Sequence, residues 1–497
     1  MSDPARVTDD PDFGPLSRPM PAAVAAFRHP EHALAPLTDP AISHGLTDAG
    51  QARRFVERFG DQFRFDHSRR AWLRWSDHFF SLDRDGEPKR AAIELARNLY
   101  LDAGLESNLK VREAVAKFAI QQQARRKVED VLELAKVMPP IADGGTEWNS
   151  DPFLLATRWG VVDLRTRAWR DGRPDDRITL CAGAKFDPSA RCDRWRQFLD
   201  EIFGDETLIA YLQRALGYST SGDVREQVVW ILYGNGANGK STLLETIAYV
   251  LGDYAYATPF STFEAGQRSE IGADVAALAG RRFVRASETN STGRLNESRL
   301  KALSGGDRMN ARHLYGNPFE FNPVCKIWLG VNHRPSVTDD SLGFWRRIHL
   351  IPFTRTFSGS AADKNLTEAL RAEASGILNW LVDGAVGWQR DGLAPPPAVF
   401  TATDEYRHEN DPLAEFLDES CILDPDARCA ASQLFTAYEA WCDRGRTTAR
   451  ERLGRKAFGS AMTKRFESRH TEVGKLYLGI GLTDGSVSSG SSSHARA

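Results

Sequence analysis

The chain reads as an α/β protein built on a parallel sheet, with a mixed α+β region ahead of it and a small helical and stranded region behind. Three observations predict this. Residues 228–233, Val-Val-Trp-Ile-Leu-Tyr, form a continuous apolar run, as a strand covered on both faces would. A glycine-rich turn follows at once, and then a helix with apolar residues at Leu243, Leu244, Ile247 and Val250. Three further short segments, at 282–288, 326–332 and 344–353, read as additional strands of the same sheet.

The turn carries the sharpest signal. Residues 234–241 fit G-x-x-x-x-G-K-[ST], the pattern of a phosphate-binding loop, or P-loop. Gly234, Gly236 and Gly239 let the backbone turn tightly enough for successive N–H groups, from Asn235, Ala237 and Asn238 onward, to converge on a phosphate. Lys240 supplies a point charge for the outer phosphates, and Ser241, followed by Thr242, is placed to offer a hydroxyl to Mg2+. The helix that starts there aims its positive dipole end at the same anion. The bland alternative is a glycine-rich turn with a surface lysine.

Each later strand ends in a residue suited to nucleotide chemistry. Arg282-Phe-Val-Arg-Ala-Ser-Glu288 closes on a carboxylate, where a nucleotidase needs an acid to hold the magnesium water shell or polarise an attacking water. Glu288 stands alone, since Thr289 follows it where a second acid is often found. Lys326-Ile-Trp-Leu-Gly-Val-Asn332 closes on an amide that can orient water beside a terminal phosphate, or else simply form a turn. Arg346 and Arg347 open the segment that continues to Phe353. An arginine placed there reaches a neighbour's phosphate more easily than its own, as an arginine finger does.

Between the acid and the amide, residues 310–321 read as a hairpin about a Tyr-Gly-Asn-Pro turn. Arg312, His313, Tyr315 and Asn317 would offer cation, stacking and hydrogen-bonding groups to a nucleic-acid backbone, if the hairpin is more than structural. The net charge of −3 argues against nucleic acid only if averaged over the chain. Locally, Arg444, Arg446, Arg450, Arg452, Arg455, Lys456, Lys464, Arg465, Arg469 and Lys475 make the C-terminal region basic. A helix-like stretch at 431–441, another at 456–466 and a strand-like 475–480 outline a winged helix around these charges.

Other classes are disfavoured. No apolar run approaches the ~18 residues of a membrane helix, and the polar, acidic start argues against secretion. Six cysteines without a C-x-x-C pair, and histidines without zinc-site spacing, point to buried thiols in a reducing cytoplasm. The expected organisation is a flexible arm at 1–48, an α+β domain at 49–190 and a helical collar or linker at 191–222. The ATPase core follows at 223–395, then a winged helix at 396–482 and a disordered Ser/Gly-rich tail at 483–497. Within the second of these, residues 71–86 read as a hairpin with alternating aromatic and arginine residues, either core or an accessory nucleic-acid surface.

With these residues in hand the chain resembles the superfamily 3 helicases, specifically the helicase portion of phage and plasmid primase-helicases. The resemblance is strong over 194–353 and looser from about 52 to the C-terminal region. It rests on GNGANGKST at 234–242, ASE at 286–288, LNESRLKALSGGD at 295–307, ARHLYGNPFEF at 311–321, GVNHRP at 330–335 and FWRRIHLIPF at 344–353. It implies an AAA+-like ATPase that assembles as a hexamer, encircles single-stranded DNA and moves 3′ to 5′ by shifting its hairpins. Residue by residue it implies that Lys240 and Ser241 bind phosphate and Mg2+ of ATP, that Glu288 is the acidic strand-end residue and that Asn332 senses the phosphate. Arg346 is then the first choice for the finger and Arg347 the second.

The expectation is an ATP-dependent helicase of phage, prophage or plasmid replication, acting on single-stranded and forked DNA in the cytoplasm of a bacterial host. No room for a primase domain is found ahead of the core, so primer synthesis is expected from a separate primase or polymerase. Two other classes stay open: a P-loop NTPase that loads or remodels proteins on DNA, and a replication initiator that reads an origin.

Overall fold

The computed structural model describes residues 44–266, 272–287, 293–312, 317–357, 363–411, 413–446, 452–471 and 474–483. The expected N-terminal arm up to residue 43 and the tail from 484 lie outside these residues. The described chain divides into two compact units, one made of residues 44–74 with Asp83–Gly145 and the other of Trp75–Leu82 with 146–483.

In the first unit helix Asp48–Phe59 starts where the Thr47 hydroxyl accepts the Gly50 N–H at 3.1 Å. Strand Phe63–Asp66 pairs antiparallel with Ala71–Trp75 and parallel with Ala142–Asp143. The hairpin therefore begins one strand earlier than its sequence reading: Phe-Arg-Phe-Asp is too short to show a period. Helices Glu87–Ala103 and Arg125–Ala135 pack Leu95, Val131 and Leu132 against Phe55 and Phe63. The Trp72 ring meets Phe65 edge-on at 5.3 Å, so the aromatic half of the alternation serves this core.

The second unit is organised by a five-stranded sheet in the order Ile348–Pro352, Val229–Tyr233, Lys326–Val331, Phe283–Ser287, Ala255–Ala257, every pairing parallel. Parallel strands are covered on both faces, which is why 229–232 and 326–331 are buried at every position. Trp230 and Trp328, level on neighbouring strands, stack with ring centroids 4.6 Å apart.

Residues 146–190, expected with the N-terminal domain, pack with this unit instead. Leu155, Val162, Ala184 and Phe186 share one core with Trp230, and the Ala156 N–H donates to the Tyr254 hydroxyl at 3.0 Å. Helices Asp193–Ile202 and Glu206–Tyr218, expected as a collar or linker, bury Trp195, Phe198 and Leu212 in the same core. Helix Pro397–Glu409, expected with the C-terminal domain, lies on the sheet, with Leu350 N–H donating to the Thr403 hydroxyl and Tyr406 edge-on to Trp345. Beyond it, helices Ala431–Trp441 and Arg455–Arg465 are followed by strands Ser468–Thr471 and Gly474–Leu478, with Arg428–Ala430 completing their sheet. All six cysteines are buried and unbonded. Among the described residues no helix is long and apolar enough to cross a membrane.

Candidate functional site

The parallel sheet sets the geometry of the site, because it brings the closing ends of several strands to one edge. Tyr233 ends strand Val229–Tyr233 level with Val331 on one side and Pro352 on the other, so the turn after Tyr233 and the residue after Val331 are neighbours. That residue is Asn332.

Within the turn, glycine is required at two positions. Gly234 has φ +156, and a Cβ there would stand 2.3 Å from the Phe353 carbonyl oxygen. Gly239 has φ +91, and a Cβ would lie 2.9 Å from Ile202 Cγ2. Gly236 has open space where its Cβ would be, and Ala237 is the residue that takes φ +57 between them. The conformational demand expected of Gly236 falls on its neighbour.

Lys240 is 6% exposed and folds back across the turn. Its ammonium donates to the Gly234 carbonyl at 2.5 Å and to the Asn238 and Asn332 side-chain oxygens at 3.1 Å each. The Gly239 N-cap of helix Lys240–Leu251 has no side chain to offer; the Lys240 N–H reaches the Asn238 side-chain oxygen at 3.5 Å, and the N–H groups that follow it on the first turn can take an anion. The Asn238 Nδ2 is buried without a hydrogen-bond acceptor. A buried ammonium, an orphaned amide donor and a helix N-terminus make this a site that can bind phosphate. Ser241 is exposed and Thr242 half-buried on that first turn.

Of the other expected residues, Glu288, His313 and Tyr315 lie outside the described residues. Strand Phe283–Ser287 does end beside the site, since Ser287 is level with Gly330, which is level with Leu232. Arg312 and Asn317 are exposed where strands Met309–Arg312 and Pro318–Phe321 of the hairpin meet.

Arg346 and Arg347 are not brought to the loop. They precede Ile348, which is level with Val229, at the opening end of strand Val229–Tyr233. Five residues at ~3.3 Å each separate that end from the turn by about 16 Å. Both guanidinium groups donate to the Gln227 side-chain oxygen, at 2.7 and 3.0 Å. Burial and then the adjacent Arg346 charge hold the Arg347 pKa below its ordinary value. Gln227 carried no sequence signal, as its role exists only once the strands are paired.

The C-terminal basic run is more neutralised than it reads. Arg452 pairs with Asp443 at 2.7 Å, Lys464 with Asp340 at 2.8 Å and Arg465 with Asp411 at 2.6 Å. Two of those three acids come from outside the run.

The chain is similar to known proteins over parts of its length. Residues 52–204 match the family described as D5 N terminal like, 232–347 a family of unknown function (DUF5906) and 408–483 the family described as Poxvirus D5 protein-like. "Putative helicase L207/L206" of Acanthamoeba polyphaga mimivirus is 31% identical over 294 residues, 54% of this chain and 30% of that protein. "Putative helicase 022R" of Frog virus 3 is 28% identical over 59% of this chain and 39% of its own length. "Putative primase C962R" of African swine fever virus is 24% identical over 59% of this chain and 33% of its own length. The apo structure of the NrS-1 C terminal region is similar at a TM-score of 0.41 and 13% identity, covering 61% of this chain and 68% of that one. The chain is thus similar, over separate segments, to two D5 family models and to viral proteins named putative helicase and putative primase. The chain spans 30–39% of the length of these curated relatives.

Proposed function

We propose that the chain is the ATP-dependent motor of a replicative DNA helicase. The observation that carries this reading is the meeting of Lys240 and Asn332 at one edge of the parallel sheet, with Arg346 at the other. In this reading the P-loop binds the phosphates of ATP through Lys240 and the first helical turn. Ser241 and Glu288 hold Mg2+, and Asn332 orients water at the terminal phosphate. Arg346, with Arg347 second, completes the site of the next subunit in a hexameric ring, and the hairpin grips single-stranded DNA and carries it 3′ to 5′.

The residues behind the sheet act as a winged helix on duplex or forked DNA. The names helicase and primase among the viral relatives support a role in replication. We take the genome served to be that of a phage or plasmid in a bacterial cytoplasm, and assign primer synthesis to another polypeptide or to another part of a longer protein.

The test is unwinding of forked duplexes carrying only a 3′ or only a 5′ tail, with ATP and magnesium, beside Lys240→Ala. Separation that needs the 3′ tail and is lost in the variant is expected. DNA-stimulated hydrolysis without separation would favour a loader or remodeller. Sequence-specific duplex binding that survives Lys240→Ala, again without separation, would favour an initiator.

A further inference from the structure

Two residues beyond Asn332, Arg334 stands where three parts of the second unit meet. Its guanidinium lies 4.6 Å from the centroid of the Tyr233 ring, and Tyr233 is the last residue before Gly234. Arg334 also hydrogen-bonds Glu409 and lies 3.6 Å from Glu405, both on helix Pro397–Glu409. The arginine side chain is 15% exposed, whereas the carboxylates are 57% and 59% exposed. The cation is therefore rooted in the protein, and the acids reach it from the helix. Its Nε is buried and makes no hydrogen bond. With Gly234, Asn235, Thr354 and Glu405 it lines a cavity of about 590 Å3 beside the turn.

The same helix is fastened to the segment that follows Asn332. The Tyr406 hydroxyl donates to the Pro335 carbonyl at 2.5 Å, and the Val337 N–H donates to the Asn410 side chain at 2.8 Å. One residue further, Asp411 holds Arg465 of helix Arg455–Arg465. A continuous set of contacts thus runs from the loop through Tyr233, Arg334 and helix Pro397–Glu409 to the C-terminal basic helix.

We propose that Arg334 is a positioning residue of the nucleotide site. Stacked on Tyr233 and anchored by Glu405 and Glu409, it sets the Gly234 end of the loop from helix Pro397–Glu409 and so ties the loop to the C-terminal module. This rests on the ATPase reading above. Arg334 acts through Tyr233: its charge is already balanced by two carboxylates, and the ammonium that crosses the turn is that of Lys240.

The experiment measures ATP hydrolysis by the full chain, with and without single-stranded DNA, together with melting temperature. It compares wild type with Lys240→Ala, Arg334→Gln, the double variant Glu405→Gln/Glu409→Gln and the triple combination. Arg334→Gln is expected to lower kcat about 10-fold with KM within about 3-fold of wild type, and to abolish DNA stimulation. The double variant, which leaves Arg334 in place, should reproduce that pattern, and the triple variant should lose nothing further. Unchanged kcat and DNA stimulation in folded variants would overturn the proposal. So would a rise in KM of about 10-fold at unchanged kcat, the mark of direct contact with nucleotide. If Arg334→Gln fails to fold, the double variant decides alone. If Lys240→Ala hydrolyses as well as wild type, the ATPase reading itself falls, whatever the Arg334 variants do.

Discussion

The Lys240 ammonium donates to the Asn332 side-chain oxygen at 3.1 Å across two adjacent parallel strands. The contact joins the charge of the loop to the amide at the next strand end, and it predicts unequal effects of removing each partner. Lys240→Ala should abolish ATP binding. Asn332→Ala should keep binding and lower hydrolysis about 100-fold, the scale for losing one aligned polar group at a reacting centre. Asn332→Asp should instead weaken ATP binding by about 10-fold or more, because a carboxylate would pair with Lys240 and repel the terminal phosphate. Calorimetric titration beside steady-state hydrolysis separates the three. Equal loss of binding in all of them would count against the assignment.

The glycines of the turn give a second prediction. Gly234→Ala sets a Cβ against the Phe353 carbonyl, and Gly239→Ala sets one against Ile202 and Phe198, both at positive φ. Each should destabilise the chain by about 1 kcal/mol or more and stop nucleotide binding. Gly236→Ala meets nothing within 4 Å and should leave stability within about 0.5 kcal/mol. Thermal melts of the three variants test this; equal losses would mean that the turn is not held as described.

The contrast between Gly234 and Gly236 shows what was legible in the chain before its structure. Lys240 could be nominated from the spacing of the glycine-rich turn, and Asn332 because strand-end positions converge in a parallel sheet. Which glycine bears positive φ was not legible, because that depends on Phe353 and Ile202 approaching from elsewhere. Distance in sequence hid the rest: the Tyr254 hydroxyl accepts the Ala156 N–H, and Asp340 and Asp411 neutralise Lys464 and Arg465. Arg334 looked like part of a motif, yet its partners Glu405 and Glu409 lie on a helix that had been grouped with the C-terminal domain.

Arg346 yields a prediction that depends on sheet direction. It precedes Ile348, level with the first residue of strand Val229–Tyr233, while the loop follows the last. An arginine so placed can contribute to hydrolysis only in a neighbouring subunit. Arg346→Ala chains mixed with wild type should therefore lower hydrolysis more steeply than their fraction, and Lys240→Ala and Arg346→Ala chains should restore activity when mixed with each other. Activity that falls in simple proportion to the Arg346→Ala fraction would remove the trans role.

His349 predicts how stability responds to acid. Its Nδ1 lies 2.6 Å from the Tyr211 hydroxyl, which in turn accepts the Trp230 indole N–H at 2.9 Å. Burial favours the neutral imidazole, and the hydroxyl that accepts from Trp230 is free to donate to an unprotonated Nδ1. Burial lowers its pKa from 6.5 to about 4. The unfolded chain therefore takes up a proton near pH 6.5 and the folded chain only near 4. As pH falls through that window the unfolded state binds more protons, so stability is lost, and below about 4 this contribution stops changing. His349→Asn keeps a polar partner for Tyr211 but does not titrate. It should cost about 1 kcal/mol at pH 7 from altered packing and then lose less than wild type on going to pH 5. Melting temperatures of both proteins at pH 7, 6 and 5 measure the difference. Parallel curves would show that His349 titrates alike in the folded and unfolded chain, so that its burial does not disfavour the charged imidazole.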